Sequence, residues 1–205
     1  MRIVFIGDSI TESGRFEDPE KLGTGYVRLV HDYLRTTYPA GNLEVFNKGI
    51  SGNRITDLAD RWQTDAMDLN PDIISISIGI NDVWRQLKNP EMEQVYPDQF
   101  EQIYDSLLTQ VSENTNARIV LMEPTIIEES LDSIGNEKLK AYVKIVNRMA
   151  EKYGAVIVPL HQGFLKYIEA NNGYDLSLDG VHMNSVGNRL MTTIWLESTR
   201  GIIFL

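Results

Sequence analysis

The sequence predicts an α/β fold in which a five-stranded parallel sheet lies between two layers of helices, a three-layer α/β/α sandwich. Three observations carry this expectation. Short apolar runs rich in β-branched residues recur along the chain, each followed by turn residues. The segments between them are long enough for a helix and set apolar residues three and four positions apart. The 205 residues are 42% hydrophobic and 23% charged, enough for one domain over residues 1–205 with a single substantial core.

In chain order, residues 2–6 read as the first strand, because the apolar run after Met1 is too short for a signal-peptide core and leads directly into a turn. A helix is expected over 26–37, with Thr24 ahead of it as a side-chain acceptor for unpaired backbone N–H groups. A strand over 43–47 and a helix over 55–69 follow. The strand at 73–78 begins the most apolar stretch, 73–80, which Ser75 and Ser77 interrupt well short of a membrane span. Helices over 100–112 and 138–153 alternate with strands over 118–122 and 155–159, and a last helix runs from Ser185 to about Ser198, capped from Asn184 and Ser185. Residues 82–97 and 171–182 are left as the longest irregular pieces, a length that inside a domain points to function or disorder.

Composition narrows the partners. With 19 Lys and Arg against 29 Asp and Glu, the formal net charge is −10, which repels nucleic-acid phosphates and anionic lipid headgroups. Neither nucleic acid nor membrane is expected as a partner, and the location expected is cytoplasmic. The chain has no Cys, so disulfides, thiolate zinc sites and a cysteine nucleophile are excluded. No Gly-x-Gly-x-x-Gly follows the first strand and no phosphate-loop motif occurs. The three His are far apart without a His-Glu-x-x-His pair, so neither a cofactor nor a metal is expected.

In an open parallel sheet, ligands bind outside the carboxyl ends of the strands. The residues there are Gly7-Asp8-Ser9, Asn47-Lys48-Gly49-Ile50-Ser51-Gly52-Asn53, Gly79-Ile80-Asn81-Asp82 and Glu123-Pro124-Thr125. Ser9 sits where a strand enters a turn, after Gly7, a residue free to adopt angles a side chain forbids. A serine hydroxyl needs a base, and His182 in Leu178-Asp179-Gly180-Val181-His182 carries its own carboxylate three residues earlier. Asp179 accepting from one ring nitrogen leaves the other free to take the Ser9 proton. Each piece alone has a plainer reading. Gly-Asp-Ser is a common turn, Asp179 and His182 can cap the last helix, Gly52-Asn53 can be only a turn, and Gly79–Asp82 only a helix entry. His161 has no carboxylate near it in sequence and reads as structural. Together, however, these pieces fall on one rim of one sheet and supply the parts acyl transfer requires: nucleophile Ser9, base His182, orienter Asp179 and oxyanion donors from the turns.

These residues resemble the SGNH hydrolases, also called the GDSL esterase and lipase family, across the whole chain. Gly7-Asp8-Ser9-Ile10 is similar to the first motif block, with Ile for the common Leu. Gly52 matches the second block, Asn81 the third, and Asp179 with His182 the last. The resemblance implies a flavodoxin-like sandwich and a Ser-His-Asp serine esterase whose oxyanion hole is formed by the N–H groups of Ser9 and Gly52 and the Asn81 amide. Gly23-Thr24-Gly25-Tyr26-Val27 and Gly79–Gln86 resemble a bacterial branch that includes intracellular acetyl xylan esterases. That implies a small ester substrate, an acetylated sugar such as an acetylated xylo-oligosaccharide. Asp8, Trp84 and Arg85 are the candidates for substrate contact, with Gln86 beside them, although Trp84 reads equally as a buried loop anchor. Lysophospholipase or thioesterase activity on the same fold is the alternative, and a non-enzymatic binding module is disfavoured because every position needed for chemistry is filled. The apolar tail 201–205 packs on its own domain or enters a subunit contact; the oligomeric state stays open, with a homo-oligomer favoured by the narrower resemblance.

Overall fold

The computed structural model of the protein describes residues 1–170 and 173–203. Asn171 and Asn172 of the expected irregular piece, and Phe204 and Leu205 of the apolar tail, lie outside the described residues. Five strands, β1 (Arg2–Gly7), β2 (Glu44–Gly49), β3 (Ile73–Ser77), β4 (Arg118–Met122) and β5 (Val156–Val158), pair in parallel in the order β2-β1-β3-β4-β5. The central strands are buried on both faces, which is why they read as continuous apolar runs instead of alternating ones.

The helices α2 (Tyr26–Thr37), α6 (Pro97–Asn114), α7 (Ile134–Tyr153) and α9 (Ser185–Thr199) fall where the periodicity places them, α6 and α7 starting three and four residues earlier than expected. α2 packs on α9, whereas α6 packs on α7. Right-handed crossovers account for the two layers, because the chain moves one way from β1 to β2 and the other way from β3 through β5. The reversal between β1 and β3 opens a crevice at their carboxyl ends. Among the described residues, no helix is long and apolar enough to cross a membrane.

Several expectations need correction. The expected helix 55–69 is broken into α3 (Ile55–Asp60), α4 (Trp62–Asp65) and a 3₁₀ turn at Met67–Leu69. The break falls at Arg61, whose guanidinium turns inward to Gly7 O and Lys48 O, both at 2.8 Å, so tertiary hydrogen bonds override the local period. Residues 82–97 are not irregular throughout, since α5 (Ile80–Lys88) occupies their first half. Its signal was present in Ile80, Val83, Trp84 and Leu87, which recur at helical intervals. A further helix, α8 (Leu160–Ala170), follows β5 in a stretch to which the sequence reading assigns no element. Gly163 blurs its pattern, and the structure explains the glycine: a Cβ there would lie 2.4 Å from Ile194 Cδ1 of α9. Thr24 does not cap α2; the cap residue is Gly25, and the Thr24 hydroxyl donates to Ser13 O at 3.2 Å. Asn184 caps α9 as expected, its Oδ1 accepting from Val186 N and Gly187 N.

Ser75, the polar interruption in β3, is fully buried and satisfied. Its hydroxyl accepts from Trp195 Nε1 at 3.0 Å and faces Met122 Sδ at 3.3 Å. Of the apolar tail, Ile203 is buried against the core.

Candidate active site

The site begins at the end of β1. Asp8 caps a one-turn helix, α1 (Ser9–Glu12), its carboxylate accepting from Ile10 N at 3.0 Å, and Ser9 is the first residue of that turn. A residue there has a backbone N–H without an intrahelical acceptor, so Ser9 presents both its hydroxyl and its N–H at the rim. Gly7 is needed for space and not for unusual backbone angles. A Cβ at Gly7 would lie 2.3 Å from Ser77 O and 2.5 Å from Thr11 Oγ1, and its φ is not positive.

His182 comes to Ser9 from a separate part of the chain. Its Nε2 lies 2.9 Å from Ser9 Oγ, and its Nδ1 lies 2.7 Å from Asp179 Oδ2. The other Asp179 oxygen accepts from His182 N at 2.8 Å and Val181 N at 3.0 Å, which ties the carboxylate to its own loop. Partial burial tends to raise the Asp179 carboxyl, but the hydrogen bonds from His182 and Val181 outweigh it and hold the group below the usual carboxylate range. An ionised Asp179 accepts from Nδ1–H, so Nε2 carries the lone pair and Ser9 donates to it. The side chains of His182 and Asp179 are 47% and 54% exposed, so this end of the site opens directly to solvent.

Two turns follow the carboxyl ends of β2 and β3, the strands on either side of β1. Gly52 has φ +79°, a left-handed backbone that an L side chain rarely adopts. Asn81 sits in the first turn of α5, 7% exposed, and one hydrogen of its Nδ2 donates to Asn53 O at 3.1 Å. That bond draws the two turns together and leaves the second Nδ2 hydrogen available. Arg61 braces the same turn from below, its Nε donating to Asn53 Oδ1 at 2.7 Å. Apart from Asp65 four residues on, the partners of Arg61 come from β1, β2 and the turn after β2, so the local pattern around it does not mark this role. Arg85 Nη2 lies 3.2 Å from where a Cβ on Gly52 would be, so its guanidinium closes over the turn.

The remaining expected residues fall elsewhere. Asp8 is only 1% exposed, its carboxylate turned inward to Ile10 N and away from the rim where it was expected. Burial pushes it up to about 7, against the Ile10 N–H and the positive fields of His182 and Arg61. Asp82 is likewise buried and pushed up to about 7, while its two oxygens accept from Ile55 N at 3.2 and 3.3 Å. Trp84 is not in a loop: it lies on α5, half-buried against the core, with Lys88 Nζ 5.0 Å from its ring centre. Gln86 turns inward, donating to Tyr142 Oη at 2.8 Å. His161 is buried and donates from Nδ1 to Thr125 O at 2.6 Å, a structural contact.

Chemically, the arrangement joins a hydroxyl, an imidazole and a carboxylate in one hydrogen-bonded line. The comparisons with known proteins agree in kind. The chain is 36% identical to an acetylxylan esterase of Geobacillus stearothermophilus in an alignment 204 residues long that covers 96% of this chain and 92% of the relative. The crystal structure of Axe2, an acetylxylan esterase from that organism, superimposes with a TM-score of 0.89 at 35% identity, covering 96% of this chain and 93% of the other. Catalytic mutants of Axe2 include replacements of a serine, an aspartate and a histidine, the aspartate three residues before the histidine. LAE5, an alpha/beta hydrolase enzyme from the metagenome of Lake Arreo in Spain, superimposes with a TM-score of 0.91 at 32% identity, over 97% of this chain and 94% of that one. Residues 5–190 match the GDSL-like Lipase/Acylhydrolase family, spanning β1 to α9 and every residue of the hydrogen-bonded line; the protein is a hydrolase belonging to that family.

Proposed function

We propose that the protein is a serine esterase that removes acetyl groups from carbohydrates such as acetylated xylo-oligosaccharides, with Ser9 as nucleophile, His182 as general base and Asp179 as the residue that orients it. The observation that carries this reading is the unbroken line from Ser9 Oγ to His182 Nε2 at 2.9 Å and from His182 Nδ1 to Asp179 Oδ2 at 2.7 Å. Ser9 Oγ attacks the acetyl carbonyl carbon while Nε2 takes its proton, and the carbonyl oxygen becomes an oxyanion. The N–H groups of Ser9 and Gly52 and the free Nδ2 hydrogen of Asn81 receive that charge. The intermediate collapses to acetyl-Ser9 and the sugar hydroxyl, which leaves with the proton from His182. Water activated by the same nitrogen then releases acetate and restores Ser9.

A small acyl site is supported by the bond from Asn81 Nδ2 to Asn53 O and by Arg85 closing over Gly52. The open flank at His182 and Asp179 leaves room for a large polar leaving group, for which Arg85 offers hydrogen-bond donors. The relative of 36% identity is an acetylxylan esterase, which supports the same substrate class. A cytoplasmic location belongs to the reading and is tested by cell fractionation.

The deciding measurement is kcat/KM on acetyl, butyryl and octanoyl nitrophenyl esters, together with acetate release from acetylated xylo-oligosaccharides. The expected order is acetyl above butyryl, with octanoyl scarcely turned over. A groove that buried the longer chains would gain about 0.8 kcal/mol per methylene. Rates that climb toward octanoyl would replace this reading with a lysophospholipase or thioesterase one.

A further inference from the structure

The base and its orienter sit on residues 173–184, ahead of α9, which are closed on themselves by a bridge between Ser177 and Met183, with Leu178 N donating to His182 O at 2.8 Å and Asn184 N to Leu176 O at 2.9 Å, and both side chains are about half exposed. Such a segment does not by itself hold an imidazole within 3 Å of a serine on another element. A carboxylate from the loop between β4 and α7 ties the root of this segment to the rest of the fold. Glu129 Oε2 accepts from Leu176 N at 2.8 Å, and Oε1 accepts from Leu176 N at 3.0 Å, from Ser177 N at 2.7 Å and from the Ser177 hydroxyl. The Ser177 oxygen in turn accepts from Gly180 N at 3.1 Å. One side chain thus satisfies the donors at the root of the loop and, through Ser177, a donor at its tip, one residue past Asp179.

The loop that supplies Glu129 is itself rigidly built. Asn136, fully buried at the start of α7, accepts from Ile127 N at 2.9 Å and donates to Glu128 O at 3.1 Å and Ser130 O at 2.8 Å. Glu128 N donates to Gly180 O at 2.8 Å, a second tie to the same tip. The frame therefore runs from α7 through Asn136 and Glu129 to Asp179 and His182.

We propose that Glu129 is the positioning residue that holds the Asp179–His182 loop in register with Ser9, an inference that rests on the catalytic roles proposed above. It touches no reacting atom, so its effect passes through the imidazole. A carboxylate suits the task because it is acceptor-only and meets only donors here. A misplacement of the base by about 1 Å costs up to about a hundredfold in the chemical step while leaving substrate affinity largely alone.

The test compares E129A and E129Q with the parent enzyme, and repeats E129A in a D179A background, measuring kcat and KM on nitrophenyl acetate and the thermal midpoint of each. E129A is expected to lower kcat by about tenfold or more with KM within about threefold. E129Q should recover part of that loss, because its carbonyl oxygen restores the Oε1 acceptor. With Asp179 already removed, the same E129A change should cost less than about threefold, since residues acting as one unit are non-additive. If E129A does not fold, S177A carries the test, deleting only the hydroxyl that joins Glu129 to Gly180 N, with a smaller loss in kcat that also fades in the D179A background. Unchanged kcat alongside a lowered thermal midpoint would make Glu129 merely structural and overturn the proposal, as would equal losses in both backgrounds. An S9A protein that keeps its activity would instead overturn the catalytic assignment itself, so the two failures are distinguishable.

Discussion

Replacing Asp82 by Asn isolates the consequence of burying a carboxylate in the first turn of α5, beside Asn81. Burial raises Asp82 from 3.8 to about 7 in the folded protein, against its hydrogen bond from Ile55 N and the charge of Arg54, and nearby Asp8 raises it further. The folded state therefore binds this proton more tightly than the unfolded chain. Its contribution to stability is fully present below about pH 4 and is lost progressively as pH rises to about 7. Each pH unit in that window is worth about 1.4 kcal/mol, so ionising Asp82 in place costs about 4 kcal/mol at pH 8. Asn cannot ionise, and its carbonyl can still accept from Ile55 N, but it forgoes one oxygen and places an amide N–H₂ where the carboxyl stood, at about 1 kcal/mol. Asp82→Asn is thus expected to be more stable than the parent by about 2–3 kcal/mol at pH 8, and slightly less stable at pH 4. For a chain of 205 residues that gain raises the thermal midpoint by about 5–10 °C. Urea unfolding of both proteins at pH 4 and pH 8 checks this. A stability difference that does not change between the two pH values would refute the reasoning, because it would mean that Asp82 does not change ionisation in that window.

Other outcomes follow from the same geometry. His182→Ala and Ser9→Ala should each abolish nearly all esterase activity in folded protein, and the double variant should lose little more, as single-turnover assays on the purified set would reveal. Asn81→Ala should lower kcat by about 10²–10³ with a smaller change in KM, because oxyanion charge develops mainly in the transition state; a loss confined to KM would reassign Asn81 to binding. Gly49→Ala would place a Cβ 2.1 Å from Glu12 N and 2.5 Å from the Thr11 carbonyl carbon, forcing α1 off β2. Overpacking of that kind costs about 1–3 kcal/mol, and because α1 carries Ser9, kcat should fall together with the urea midpoint. Chelators should leave the rate unchanged, and metal-restored activity after chelation would show that the site had been misread.

Much of the architecture was legible from periodicity because the elements are paired and packed in ways that leave a local trace. A strand buried on both faces is a run such as Ile73 to Ser77, and a helix such as Tyr26 to Thr37 shows its buried stripe as Tyr26, Val27, Val30 and Leu34. The positions of Ser9, Gly52 and Asn81 at one edge were legible for a related reason, since they follow β1, β2 and β3 and in a parallel sheet every strand delivers its following residues to the same edge, whereas Asp179 and His182 follow α8 and only the fold brings them to Ser9. Other features leave no such trace. The break at Arg61 arises from hydrogen bonds to Gly7, Lys48 and Asn53, and no window around residue 61 contains all of those partners. Glu129 meets Leu176 and Ser177 across 47 and 48 residues of chain, so only the fold brings that carboxylate to the loop of the base. Asp8 looks from its neighbours like a rim residue, yet the turn of α1 directs it inward to Ile10 N, because a side chain's direction at a helix cap is set by backbone geometry and not by adjacency to the nucleophile. The sequence by itself therefore determined the order of the five strands and of α2, α6, α7 and α9, and singled out the residues proposed to react. Tertiary structure alone decided which polar side chains frame them, because hydrogen bonds between distant segments depend on position in space and not on spacing along the chain.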